Sequence, residues 1–333
     1  MRKLTKCLIV ALVIGASQAA VADPVKIRAS WTVPVSNWMS ILLEKKDLMT
    51  HLGKSYVLEP TRYTGTPLMV TALANGELDV ANLTFSAIGL AVQNAGLDDL
   101  RIIADEFQDG VGDYYSQEFF VLKDAPFQKV QDLKGKILAT NALGSAVDIA
   151  MKAMLRKNGM EDRRDYTVVE AQFPAMRALL AEKKADLVPG VLPFSLDPEL
   201  RKISHTLFVQ KEAVGTTQMA IYAARKGFID KNRPALVDFM EDTLRVVRWY
   251  LDPANHNEAV AIAVRVTKQP AAIFESWLFT NKDYYRDPNM VPNLAALQSN
   301  VDEQKALGFL KGDIDIKGHS DLSVISEAAQ RLK

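Results

Sequence analysis

The chain has 333 residues, 48% hydrophobic and 24% charged, with 40 basic against 40 acidic side chains. That is the composition of a packed protein with length for about two domains, which excludes disordered and fibrous classes. It shows no basic stripe, so nucleic-acid binding has no support, and its single cysteine, Cys7, excludes disulfides and Cys–Zn sites.

The first residues read as a separate segment. MRKLTK carries Arg2, Lys3 and Lys6, the apolar run CLIVALVIGA follows, and Ala20-Val21-Ala22 precedes Asp23. This order fits a secretory signal peptide over 1–22, cleaved before Asp23. The apolar run falls short of the ~20 residues that span a bilayer. A membrane anchor is the competing reading. Cys7 stands too early for lipid attachment at the cleavage point. Removing the three leader cations leaves 37 basic against 40 acidic residues and no thiol. The mature chain is therefore expected in the periplasm, soluble and without a thiolate nucleophile.

VKIRAS (25–30) alternates as a strand does. SNWMSILLEKKDLMTHLG then has helical periodicity, with Ser36 or Asn37 as N-cap and Gly53 as the stop. YVLEPTRYTG is a second strand running into a glycine loop, and TPLMVTALANG is a helix with Pro67 near its start, where a missing N–H costs nothing. LDVANLT is a third strand. This β-α-β-α-β order implies a mainly parallel sheet. Ligands of open α/β sheets sit outside the carboxyl ends of the strands, which puts Thr84, Phe85 and Ser86 where a ligand would be held.

RIIADE (101–106) and SQEFFVLKD (116–124) read as further strands. LKGKILATNALGSAVDIAMKAMLRKNG then repeats the theme: a strand over 136–140, a turn at Leu143-Gly144-Ser145 and a helix to Gly159. YTVVEA is a strand, FPAMRALLAEKKA a helix, and DLVPGVL a strand. After QMAIYAARK the pattern is helical almost to the end. Within this order LANGELDVANLTFSA (73–87) resembles LAEKKADLVPGVLPFS (180–195). Leu73-Ala74 matches Leu180-Ala181 and Asp79 matches Asp186. The copies then drift by two residues, Phe85-Ser86 against Phe194-Ser195. Two such units predict two similar lobes, with the chain passing between them near 113–118 and 215–222.

The helix opening at Gly144-Ser145-Ala146-Val147 is the strongest local candidate site. Free N–H groups and the positive end of the macrodipole suit an anion. Ser145 and Asp148 also form an S-x-x-D pair resembling a capping box, so Asp148 reads either as a cap or as a ligand contact. Trp31-Thr32 and Trp38 follow the first strand. Tyr63-Thr64-Gly65 ends the second, where a plain strand-to-helix turn is the alternative. His51, His205, His256 and His319 are scattered, and no H-E-x-x-H, G-x-S-x-G or phosphate-loop pattern occurs. Glu118 and Asp105 could pair as carboxylates, although strand carboxylates are usually solvated or salt-bridged. No catalytic residue, metal or cofactor is expected.

ALANGELDVA, VQDLKGKILAT with the following GSAVD helix start, ALLAEKKADLVPGVLPF, MAIYAARKGFIDKNRPALVDFMEDTLRVVRWY and NHNEAVAIAVRVTKQPAAI…LGFLKGDIDI resemble, in that order, the substrate-binding proteins of ABC transporters. The resemblance is to the nitrate/sulfonate/taurine group with its thiamine-pyrimidine-like branch, over nearly the whole mature chain. It implies an α/β, two-lobed type II periplasmic-binding-protein fold, with mixed, mainly parallel sheets and flanking helices. Lobe 1 is expected over 23–115 and 221–333, and lobe 2 over 116–220. The implied function is to bind a small organic anion in the interlobe cleft by lobe closure, as a monomer that docks transiently on a membrane permease. The implied ligand contacts are Trp31-Thr32, Thr64-Gly65-Thr66, Thr84-Phe85-Ser86, Gly144-Ser145-Ala146 (with Val147 from the helix start), Leu192 and Phe194 around Pro193, and Thr216-Thr217. Two departures stand out. Val191 occupies the place of a frequent tryptophan two residues before the matched proline, and Gly144-Ser145 replaces a Ser-Ser pair common in sulfonate binders. A ligand-binding partner of a sensory receptor, or an enzyme of the pyrimidine-synthesising type on the same fold, are the alternatives.

Overall fold

The computed structural model describes residues 23–278 and 280–333. The leader expected over 1–22 lies outside the described residues. Five strands form the first sheet: β1 (Val25–Trp31), β2 (Tyr56–Arg62), β3 (Val80–Thr84), β4 (Leu100–Asp109) and β10 (Thr217–Arg225). Their order is β2-β1-β3-β10-β4. β1 runs parallel to β2 and β3, while β10 is antiparallel to both its neighbours.

The second half repeats this plan. β5 (Glu118–Leu122), β8 (Val188–Gly190) and β9 (Ser204–Val209) form a sheet of order β8-β5-β9, and β6 (Lys136–Thr140) pairs in parallel with β7 (Tyr166–Glu170). A parallel bridge from Leu138 to Leu187, with Ala139 N–H donating to the Leu187 carbonyl at 2.8 Å, joins the two pieces. The combined order is β7-β6-β8-β5-β9, with β5 antiparallel to both neighbours. β6, β7, β8, β5 and β9 thus stand in the places of β1, β2, β3, β10 and β4. The chain passes between the sheets twice, over 110–117 and 210–216.

The matched aspartates explain why the repeat is visible in sequence. Asp79 N–H donates to the Arg28 carbonyl (2.9 Å) and Asp79 Oδ2 accepts from Arg28 N–H (2.9 Å). Asp186 does the same with Ile137, at 2.6 and 3.0 Å. Each aspartate locks the start of β3 or β8 onto its parallel neighbour, where a short acceptor close to the backbone is needed. These residues are therefore framework, not ligand groups.

The helices follow their apolar faces. Pro67 sits in the first turn of Thr66–Ala74, which buries Met69, Val70, Ala72 and Leu73, and Gly76 follows at φ +69°, a conformation glycine adopts without penalty. Helix Ala146–Lys157 is capped by Ser145, buries Val147, Ala150, Met151 and Leu155, and ends on Arg156-Lys157, favourable at the negative end of the dipole. The long helix expected over 36–53 is instead a short one, Trp38–Leu42, and a 3₁₀ turn, Lys46–Leu48. Lys45 leaves the helical conformation and folds inward, to Asp47 and Glu258 (3.0 Å each) and over the Trp249 ring. Pro234 lies inside the helical run Lys226–Leu251, which kinks at Asn232. Helix Ser323–Arg331 packs on that run. None of the described helices is long and apolar enough to cross a membrane.

Candidate functional site

The carboxyl ends of β1, β2, β3, β6 and β8 converge on a cavity of about 50 Å³, lined from both halves. A water needs ~10–15 Å³ on this measure, so the space suits a small solute. The walls are apolar side chains, including Val33, Phe107, Phe173, Val191, Leu192 and Met219, interleaved with neutral polar groups. Among the described residues, no Lys, Arg, His, Asp or Glu lines it.

Of the residues expected to bind ligand, the structure brings Thr32, Gly65, Thr66, Thr84, Ser145, Ala146, Val147 and Leu192 to the cavity. The others go elsewhere for identifiable reasons. Trp31 is half-buried under the Arg62 guanidinium, 5.1 Å from its ring centre. Thr64 and Phe194 line an outer groove with Arg62, Gln172 and Pro174, where Phe194 stacks on Phe173. Phe85 is fully buried in the hydrophobic core and opens a helix. Ser86 is buried behind Thr84 and donates to the Gly144 carbonyl at 3.1 Å. Thr216 donates to the Gly110 carbonyl, and Thr217, with no exposure, accepts from Gln210. Gly144 turns its N–H to Asp148 Oδ2 (2.8 Å). Asp148 is a cap: its N–H bonds Ser145 Oγ and its carboxylate also takes Lys152 at 2.9 Å. Burial pushes the Asp148 carboxyl up. The helix start thus brings Ser145, Ala146 and Val147 to the cavity, and the first-turn N–H groups of Ala146 and Val147 have no partner within the helix.

Several lining residues were not expected to bind ligand. Asn37 is at the N-cap position, yet its Oδ1 accepts from Thr32 N–H, Val33 N–H and the Thr32 hydroxyl, shaping the loop after β1. Its Nδ2 donates to Glu106 (2.8 Å), as does Asn82, and Glu106 also accepts from Trp38 N–H (2.8 Å). Burial pushes the Glu106 carboxyl up to about 8, against the pull of Trp38 N–H and the Arg286 guanidinium. Asn82 in apolar VANLT and the acids of ADEFQD were legible as polar breaks in buried strands. Gln117 and Tyr284 come from the crossover and the helical C-terminal half, and nothing local marked them. Glu118 and Asp105 are not paired: Glu118 takes Arg201 in a two-point ion pair, and Asp105 takes Gln218.

The two halves are bonded to each other around the cavity. Ser36 donates to the Leu192 carbonyl (2.8 Å), Ser86 to Gly144, and Asn141 Nδ2 to the Thr64 carbonyl (3.0 Å). A Cβ on Gly65 would lie 2.7 Å from that of Ala142, so the close approach here requires glycine. Away from the cavity, His51, Asp238 and Glu241 bring possible ligand atoms within 4.8 Å of one another. Arg331 on Asp238 and Arg245 on Glu241 already supply positive charge there.

Two α/β halves of one topology, two crossovers and a cavity at the shared strand ends define a periplasmic-binding-protein fold. The nitrate-binding protein NrtA from Synechocystis PCC 6803 is similar in structure over 93% of this chain and 89% of its own, with TM-score 0.72 and 14% identity. The alkanesulfonate-binding protein SsuA from Xanthomonas axonopodis pv. citri, bound to MOPS, is similar over 92% of this chain and 98% of its own, with TM-score 0.67 and 17% identity. The desulfurization enzyme DSZB is similar over 93% of this chain and 100% of its own, with TM-score 0.66 and 12% identity. No curated protein matches the sequence. The NMT1/THI5-like family model matches residues 70–256, more than half of the chain, and the protein belongs to that family.

Proposed function

We propose that this protein is the extracytoplasmic solute-binding component of an ABC importer. The half built on the first sheet, which takes in all of β10 from Thr217 rather than from the expected 221, acts as one lobe and the half built on β5 to β9 as the other, and they close on a small organic solute before docking on a permease. The observation that carries this reading is the cavity itself: small, shared between the halves and ringed by hydrogen bonds from one half to the other. Ligand that bridges the halves stabilises the closed arrangement. The periplasmic relatives in structure favour transport. The expected organic anion would meet the N–H groups of Ala146 and Val147, with Thr66 and Thr84 opposite. Export after loss of 1–22 and a monomeric state belong to the same proposal. DSZB shows that the fold also carries enzymes, but the lining among the described residues has neither cysteine nor histidine, which favours binding over turnover.

The test is a thermal-shift screen of the mature chain over sulfonates, carboxylates, aromatic acids, pyrimidines and amides, followed by small-angle scattering with any hit. Binding raises stability by mass action. A stabilising solute that also compacts the protein supports the reading. Silence across the panel, or stabilisation without compaction, contradicts it.

A further inference from the structure

The hydrogens of the lining hydroxyls can be traced one by one. Ser86 Oγ is 3.1 Å from the Gly144 carbonyl oxygen, which can only accept, so Ser86 commits its one hydrogen there. Thr84 Oγ1, 3.1 Å from Ser86 Oγ, must then donate to Ser86, and Thr66 Oγ1, 3.0 Å from Thr84, must donate to Thr84. The three form a one-way relay from the first half into the second. What Thr66 and Thr84 have left for the cavity they line is lone pairs.

The remaining aliphatic hydroxyls of the lining are committed in the same way. Thr32 donates to Asn37 Oδ1 (2.9 Å), Ser36 to the Leu192 carbonyl (2.8 Å) and Ser145 to Asn141 Oδ1 (2.8 Å). The amide orientations are fixed by backbone groups: Thr32 and Val33 N–H can only donate, so they hold Asn37 Oδ1, Asn37 Nδ2 then donates to Asn82 Oδ1, and the Thr64 carbonyl takes Asn141 Nδ2. Gln117 adds an acceptor. It lines the cavity with no exposure, its Nε2 donates to Gln210 Oε1 (2.8 Å), and its Oε1 has no partner among the described residues.

Charge runs the same way. Among the described residues no cation lines the cavity, and the groups one residue behind its wall are carboxyls: Glu106, held largely protonated by burial, behind Asn37 and Asn82, Asp109 behind the Gln117 backbone, and Asp148 behind the helix start. Their countercharges, Arg286 near Glu106, Lys211 near Asp109 and Lys152 on Asp148, also lie outside the wall. A donor-free oxyanion would face lone pairs with no cation to offset them. A buried acceptor left unpaired loses its bond to water with nothing in return. The donors left on the lining residues are neutral: the Ala146 and Val147 N–H groups, the Tyr284 hydroxyl and the second amide hydrogens of Asn82, Asn141 and Gln117.

We infer that the solute is a small uncharged molecule with an amide-like edge, whose N–H groups donate to the Thr66, Thr84 and Gln117 oxygens while its carbonyl-type acceptor meets the helix start. Nitrate, sulfate and simple alkyl sulfonates are poor fits, unlike what the relatives in structure are named for. The inference rests on the cavity being the solute site, as proposed above, and departs from that reading only in ligand class.

Matched pairs of probes test it on the mature chain by calorimetry: acetamide against acetate, methanesulfonamide against methanesulfonate, urea against nitrate. In at least one pair the uncharged member should bind at least tenfold more tightly than its anion. Thr66→Val should lose that preference, and Thr66→Ser should keep it. The inference is overturned if no uncharged probe binds, if the anion binds as well as or better than its partner in every pair, or if a folded Thr66→Val protein keeps the preference. An anion that binds and compacts the protein would sink this inference and leave the solute-binding reading standing.

Discussion

The ends of β3 and β8 look alike in sequence and behave differently in the fold. Both strands start at an aspartate that locks onto the parallel neighbour. Beyond that, Thr84 faces the cavity, Phe85 goes into the core and Ser86 bridges the halves. At β8, Leu192 faces the cavity, a cis peptide joins it to Pro193, and Phe194 turns to an outer groove. A repeat constrains the strand, whose backbone pairing depends on register. It does not constrain the loop, where two extra residues redirect every side chain.

The largest break in the comparison is at the phenylalanines. Phe85→Ala should cost ~3–5 kcal/mol of stability, as for an aromatic lost from a core. Phe194→Ala should cost less, because its ring is only partly buried, at the edge of the core and in the groove. Urea unfolding of the two variants measures both, and equal losses would contradict the assignment.

The aspartates come next. Asp79 binds the Arg28 backbone and also its guanidinium, at 2.8 and 2.6 Å, whereas Asp186 holds only the Ile137 backbone. Both carboxylates accept from a backbone N–H, and the partly exposed ion pair to Arg28 adds up to ~1 kcal/mol. Asp79→Ala should therefore destabilise more than Asp186→Ala, by up to ~1 kcal/mol, in the same unfolding experiment. Equal costs would mean that the guanidinium adds nothing.

Gly65 separates the halves in another way. Its φ of −171° is open to any residue, so the constraint is steric, from Ala142 across the cavity. Gly65→Val should leave the unliganded melting point nearly unchanged and weaken solute binding at least tenfold, about 1.4 kcal/mol. A variant with unaltered affinity would show that the approach of these loops is not needed for binding.

The smallest effect concerns pH. β4 carries Glu106, while β9, in the same place in the second sheet, is SHTLFV with no carboxylate. Burial raises Glu106 to about 8, above the ~4.3 of an unfolded glutamate. The folded state therefore holds its proton longer. The resulting stabilisation is fully present below ~4.3 and is lost as pH rises through about 8. Melting temperature should fall over that window, and Glu106→Gln should flatten the fall. An identical slope in the variant would place the titration elsewhere.

The fold was legible because its determinants are local. Alternating VKIRAS, the Gly76 stop and the repeated aspartate each act within a few residues of where they stand. The candidate site was half legible. Thr32, Thr66, Thr84 and the turn before Ala146 follow from strand ends. Lys45 breaking a helix, Gln117 at a crossover and Tyr284 from the C-terminal half depend on contacts far apart in the chain. Phe85 misled because a ring at a strand end suits a ligand wall as well as a core, and only packing decides.

The central claim is that the halves close on the solute. Leu68 and Leu143 are exposed on opposite halves, and the chain has no cysteine after Cys7. Spin labels on Leu68→Cys and Leu143→Cys in the mature chain therefore report one distance. Pulsed electron resonance should show a broad or longer distance without solute and a single shorter one at saturation. An unchanged distribution, with a solute known to bind, would contradict closure.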